Sequence, residues 1–188
     1  NNMAYKFPIR IPEGKKLTIT QGFNPNHNAN DIVCGDGPST YGLPVVWSFP
    51  FPGKPYYSIV NASLAKDATR ASVQVDGTDP VTGIAYSVVY IHLSAAMYTV
   101  EPGANTVITF NEGDVVGYIG NSGYVLPRPT KEKPFDGAHL HLVLSIKKPG
   151  ELNYTMVDPS LYFDVHNPFR GPDDSSRDDI VYKWAADQ

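Results

Sequence analysis

Alternation of apolar and polar residues organises most of the chain. Residues 15–21 (KKLTITQ), 31–34, 43–47, 56–60, 71–76, 85–93, 107–110, 115–119 and 139–145 each carry β-branched, aromatic or leucine positions at every second residue or in short runs, and each reads as a strand. Glycine, proline and asparagine clusters separate them. GFNPNHNAN at 22–30, GTDPVTG at 77–83 and the proline-marked stretch 121–138 read as turns and loops. Residues 1–14 are polar and proline-marked, and no strand is assigned there. Residues 62–70 fit a helical turn or a surface insert, 158–163 one helical turn, and 180–186 a short helix. The expectation is a mostly β fold of antiparallel sheets with loop insertions.

Composition narrows the class. A charged fraction of 18% beside 12% aromatics, 16 Gly and 17 Pro suits a β-rich globular chain rather than a helical or disordered one. The 188 residues suffice for one domain with a sizeable core, and the acidic run DDSSRDD marks a C-terminal extension, expected over 164–188 after a domain spanning 1–163. A net charge of −4 argues against nucleic acid or an anionic membrane as the main partner. No apolar run reaches the ~18 residues a transmembrane helix needs. A single cysteine, Cys34, rules out an internal disulfide and reads as a small buried residue.

The chemistry gathers around histidine. In Asp136-Gly-Ala-His139-Leu-His141-Leu-Val-Leu-Ser145 two imidazoles stand two residues apart. On a strand His139 and His141 share one face while Leu140, Leu142 and Leu144 turn to the other. Such a pair can hold a metal, or divide metal binding and proton handling between its two rings; the alternative is a half-exposed strand that happens to carry two histidines. His27 precedes Asp31 by four residues, and two imidazoles with one carboxylate form a common zinc set that leaves a fourth position open. His92 ends the strong strand pattern of VVYIH, where a lone histidine is more often structural, and His166 lies in the tail as a surface residue. His-Glu-x-x-His is absent, which removes the helix-borne zinc protease signature.

Taken in order, His27-x-x-x-Asp31, Tyr90-Ile-His92-Leu-Ser94 and His139-Leu-His141 resemble the motifs of lysostaphin-type (LytM-like) peptidoglycan metallopeptidases. Ile19-Thr-Gln-Gly22-Phe23, Gly42-Leu-Pro44-Val45, the glycine-rich run from Asn111 to Tyr124, and Val157-Asp158-Pro159 are similar to that family's intervening stretches, so the likeness spans residues 17–163. The resemblance implies an open-groove β fold, one Zn2+ held by His27, Asp31 and His141, and two catalytic histidines, His92 and His139. It further implies a monomer whose partner is a wall peptide, placed outside the cell, in the periplasm or on a phage virion. The family often carries a tyrosine shortly before the first ligand; here Phe23 stands nearby and Tyr41 is the candidate substitute.

The implied activity is zinc-dependent hydrolysis of peptide bonds in stem or cross-bridge peptides. The alternative is a non-catalytic module of the same fold that binds wall peptides or activates a partner hydrolase. A cupin-like metal protein fits less well, because LVLSIKK follows His141 where that fold wants a glutamate. Residues 125–135 (VLPRPTKEKPF) form an insert before the histidine strand that is expected to border the groove, with Arg128, Lys131 and Lys133 as either a cationic arm toward the substrate or part of a tolerated surface insert.

Overall fold

The computed structural model describes residues 4–65, 68–172 and 182–183, with side chains left aside for 59–70 and 182–183. Strands dominate. They are β1 (Tyr5–Ile11), β2 (Leu17–Gln21), β3 (Asn30–Cys34), β4 (Pro44–Val46), β5 (Lys54–Ala65), β6 (Ala68–Thr78), β7 (Ala85–Ala96), β8 (Val115–Ile119), β9 (Leu140–Lys147), β10 (Thr155–Val157), β11 (Phe163–Arg170) and β12 (Tyr182–Lys183). One helical turn, α1 (Gly37–Thr40), and a 3-10 turn at Pro159–Leu161 complete the described elements. The mostly β class read from the alternation holds.

The strands join one sheet in the order β11-β1-β4-β8-β7-β9-β3-β2, with β5, β6, β10 and β12 attached beside that path, and it curls nearly into a barrel. Pairing is antiparallel except for β1 against β11, so the separate antiparallel sheets expected become one mixed sheet. Strand β9 shows the period-2 pattern in full: Leu140, Leu142, Leu144 and Ile146 are buried, and His141, Val143, Ser145 and Lys147 are half-buried.

Several local readings change. Strand β1 was hidden by Pro8, yet Phe7, Ile9 and Ile11 alternate inward with no exposed surface. Proline lacks a backbone donor, and Pro8 falls where the register with β11 shifts between Phe7 and Arg10, so the ladder asks no donor of it. The expected turn or insert at 62–70 is instead taken up by the β5–β6 pairing, except for 66–67, which lie outside the described residues. Residues 107–110 form no strand: Val107 is almost fully exposed, and Phe110 alone bridges Gly53. Of the helix expected at 180–186, Tyr182 and Lys183 are extended and pair with β7; its other residues, like the acidic run 173–179, lie outside the described residues. Strand β11 carries the sheet past residue 163 to Arg170. Cys34 is buried, as expected.

The core centres on aromatic rings. Phe49 is fully buried and touches Tyr86 at 4.5 Å between centroids, Tyr5 at 4.8 Å, Trp47 at 5.0 Å, Phe51 at 5.1 Å and Phe163 at 5.3 Å. Trp47 Nε1–H donates to the Phe51 carbonyl at 2.7 Å, so the buried indole leaves no donor unmet. This cluster binds β1, β7 and β11 to the loop after β4. Phe49→Ala is therefore expected to cost about 3–5 kcal/mol, the usual range for emptying an aromatic core site, read as a lowered urea midpoint with an unchanged slope.

Candidate metal centre

Register brings the site together. In the antiparallel pairing of β3 with β9, Asp31 stands directly opposite His141. Both belong to the half-buried set of their strands, whereas Ile32 and Leu140 belong to the core set. Directly opposed side chains on one face lie within touching distance, and His141 Nδ1 meets Asp31 Oδ1 at 2.9 Å.

His27 arrives from a tight turn. Asn24 and His27 exchange backbone hydrogen bonds of 3.0 and 2.9 Å, and the Asn24 side chain accepts from the Asn26 N–H at 2.8 Å. His27 Nδ1 lies 2.9 Å from the Gly22 carbonyl. A carbonyl only accepts, so Nδ1 carries the proton and Nε2 carries the lone pair. That Nε2 is buried, has no hydrogen-bond partner, and sits 3.4 Å from Asp31 Oδ2.

The ligand atoms of His27, Asp31 and His141 lie within 4.8 Å of one another, which makes the three a group able to hold a metal ion. Their chemistry fits a divalent cation. His27 Nε2 and Asp31 Oδ2 are two acceptors facing each other in a site where the side chains are only 11% and 14% exposed. No hydrogen bond joins them, and a cation would satisfy both. At His141 the cation would take the place of the proton shared with Asp31. Burial, the largest effect on Asp31, pushes its carboxyl up; the His141 hydrogen bond and the charges of His139, His141 and His27 outweigh it and hold the carboxyl below its ordinary value.

His139 and His92 stand beside this group. His139 precedes β9 by one residue, and its Nδ1 donates to the Gly137 carbonyl at 2.8 Å. Its Nε2 is left as an acceptor 3.7 Å from Asp31 Oδ1. His92 reaches the site through a break in its strand. Tyr90 points into the core, and strict alternation would send His92 the same way. Instead His92 has φ 68°, lies outside the ladder where β7 leaves β9 for β8, and turns its ring to 4.8 Å from that of His139. Backbone strain of this kind collects at functional sites. Gly120 makes the kink possible. Its N–H donates to the His92 carbonyl at 2.9 Å, and a Cβ there would lie 2.5 Å from the Ser94 nitrogen.

Ser122 completes the support. Its carbonyl accepts from His92 Nδ1 at 2.6 Å, while its hydroxyl donates to the Leu93 carbonyl and accepts from the Ala71 N–H. Burial first, then the charge of His139, pushes His92 down to about 4, so its imidazole is neutral near pH 7. Asp158 braces the opposite flank. Its carboxylate accepts from buried Asn30, the neighbour of Asp31, and from the Ser160 N–H.

All five sequence-derived residues thus converge, and they line a groove of about 600 Å³ together with Thr20, Gln21, Tyr124 and Leu126. His166 is exposed and is not among the lining residues. Tyr41 packs on Phe135 at 4.5 Å and is not among the lining residues. Two supports escaped the sequence reading, Ser122 and Asn121. The Asn121 side-chain amide donates to the carbonyls of Pro134 and Asp136 at 2.8 and 2.9 Å, fastening the loop that ends at Gly137 and His139. Only its place in the glycine-rich turn signalled it.

No sequence profile of a known family matches the chain, and no curated protein matches it. Among solved structures, a zinc-containing peptidase from Vibrio cholerae aligns with a TM-score of 0.46 and 19% identity, over 84% of this chain and 39% of that one. The chain thus spans about two fifths of that protein's length, and a likeness this distant carries no function. What the site does rests on its own geometry.

Asn121→Ala is expected to destabilise the fold by about 1–3 kcal/mol, the cost of leaving buried polar groups unpaired. Hydrogen-exchange mass spectrometry should show faster exchange across 125–137 while the amides of β9 stay protected.

Proposed function

We propose that this chain is a zinc-dependent endopeptidase that hydrolyses peptide bonds of bacterial cell-wall peptidoglycan. One observation carries the metal: the buried, partnerless lone pair of His27 Nε2 facing the carboxylate of Asp31. His27, Asp31 and His141 would hold the ion. Bound there, zinc would supply Lewis acidity toward the scissile carbonyl and make water a nucleophile near neutral pH.

The protein's own groups handle protons and charge. His139 has its Nδ1 proton committed to Gly137, so Nε2 is free to accept a proton at the edge of the ligand set and to return it to the departing amine. His92 is fixed the same way through Ser122 and kept neutral by burial, so its Nε2 is held for a hydrogen bond to the reacting group. The ring centroids are 4.8 Å apart, close enough for both histidines to reach one substrate group. Asp136 also lines the groove, but it stands outside the group of His27, Asp31 and His141, and the proton-handling groups beside that group are histidines rather than the carboxylate couple of a glycosidase. The wall substrate, and a place outside the cell, in the periplasm or on a virion, rest on the ordered motifs that resemble lysostaphin-type peptidases. A wall-binding module without catalysis would have no use for two histidines each locked with a free Nε2 beside the ligand group.

Three outcomes are expected. Elemental analysis of the purified chain should find one zinc per molecule, and Asp31→Ala should lose it. His139→Ala and His92→Ala should keep the metal and the fold but lose at least about 10²-fold in kcat/KM; loss of zinc from the His139 variant would exchange its role with that of His141. Digested peptidoglycan should gain free amino termini. New reducing sugar ends without new amines would overturn the peptidase assignment.

A further inference from the structure

The groove lining includes Thr20 and Gln21 at the end of β2, with Val33, Gly37 and Pro38, and the run Tyr124, Val125, Leu126, Pro127. Within that run Tyr124 is 63% exposed and Leu126 67% exposed, although both are large and apolar and line the same cavity as His27, Asp31 and His139. A single exposed leucine is ordinary; two large, exposed apolar side chains two residues apart, both lining the cavity that holds the histidine group, mark a contact surface for a ligand.

The rim is held rigid from behind. Val125, between the two, is buried. Gly137 packs so tightly against this run that a Cβ would lie 2.4 Å from the Pro127 carbonyl and 2.7 Å from a Val125 methyl, and its φ of 76° suits glycine alone. Asn121 ties the far side of the loop down through Pro134 and Asp136. A surface fixed in this way loses little freedom when a ligand covers it.

The cations of the loop play another part than the sequence suggests. The Arg128 guanidinium stands over the Tyr124 ring at 5.4 Å, and neither Arg128, Lys131 nor Lys133 lines the groove. The expected cationic arm is therefore not what a substrate meets inside the groove. It meets tyrosine and leucine.

We infer that Tyr124 and Leu126 are specificity-determining residues that select peptides bearing an alkyl side chain next to the bond cut, over stretches made only of glycine. The inference rests on the endopeptidase reading and sharpens it. Methylene groups of the substrate pack on the rim, while glycine has nothing to bury there. On side chains this open, the whole alkyl chain together should be worth roughly tenfold in kcat/KM, what a single methylene gains in an enclosed pocket.

The test uses the zinc-loaded chain and quenched fluorescent peptides that differ only in the residues flanking the bond: glycine, alanine, norvaline or norleucine. Wild type should show kcat/KM rising along the series, by at least about tenfold from glycine to norleucine. In a Tyr124→Ser/Leu126→Ser variant with full zinc content, that ratio should collapse toward one. A flat series in wild type, or a slope unchanged in the variant, overturns the inference. So does cleavage of none of the peptides by a protein that still releases amino termini from peptidoglycan. Failure on both peptides and wall would instead remove the endopeptidase reading beneath it.

Discussion

The register of β3 against β9 is the constraint on which the site depends. Opposing Asp31 and His141 across one rung places a carboxylate against an imidazole. The same register sends Ile32 and Leu140 into the core on the other face. A slip of one residue would bury the charge and expose the leucines, so the hydrophobic core itself protects the metal-binding geometry. His27 and His139 hang from either end of this pair, one on a turn before β3 and one on the residue before β9, each oriented by a backbone carbonyl rather than by another side chain.

That division explains what was legible in the sequence. The His-x-His strand was readable because alternation over Leu140, Leu142 and Leu144 left no other face for His141. The pairing of His27 with Asp31 came from the ordered motifs of the family resemblance, since the spacing alone is weak, and the folded turn at Asn24–His27 gives that spacing its meaning. His92 was the hard case. Its strand pattern points it inward with Tyr90, and a positive φ at a non-glycine residue reverses that. Nothing local announces such a kink, because it is imposed by Gly120 and Ser122, about thirty residues along the chain. Strand β1 failed for the opposite reason: the proline that argued against a strand sits where the ladder is already broken.

The loop before β9 shows how composition can mislead about recognition. Its lysines and arginine dominate the sequence and suggested an ionic role. In the fold, the charged heads are outside the lining and the groove is faced by Tyr124 and Leu126. A long cationic side chain finds water easily, whereas Val125, buried and packed against Gly137, holds its neighbours Tyr124 and Leu126 at the cavity.

The parallel pairing of β1 with β11 joins the first described strand to one near residue 170. Strand β1 has its other neighbour, β4, available early, but its outer edge stays open until nearly all of the described chain has left the ribosome. The aromatic cluster has the same timetable, since Phe163 arrives with β11 and packs on Phe7 and Phe49. Closure of the sheet is thus a late event in biosynthesis, and non-local pairing of this kind is slow. During that interval the nascent strand YKFPIRI presents an unpaired edge.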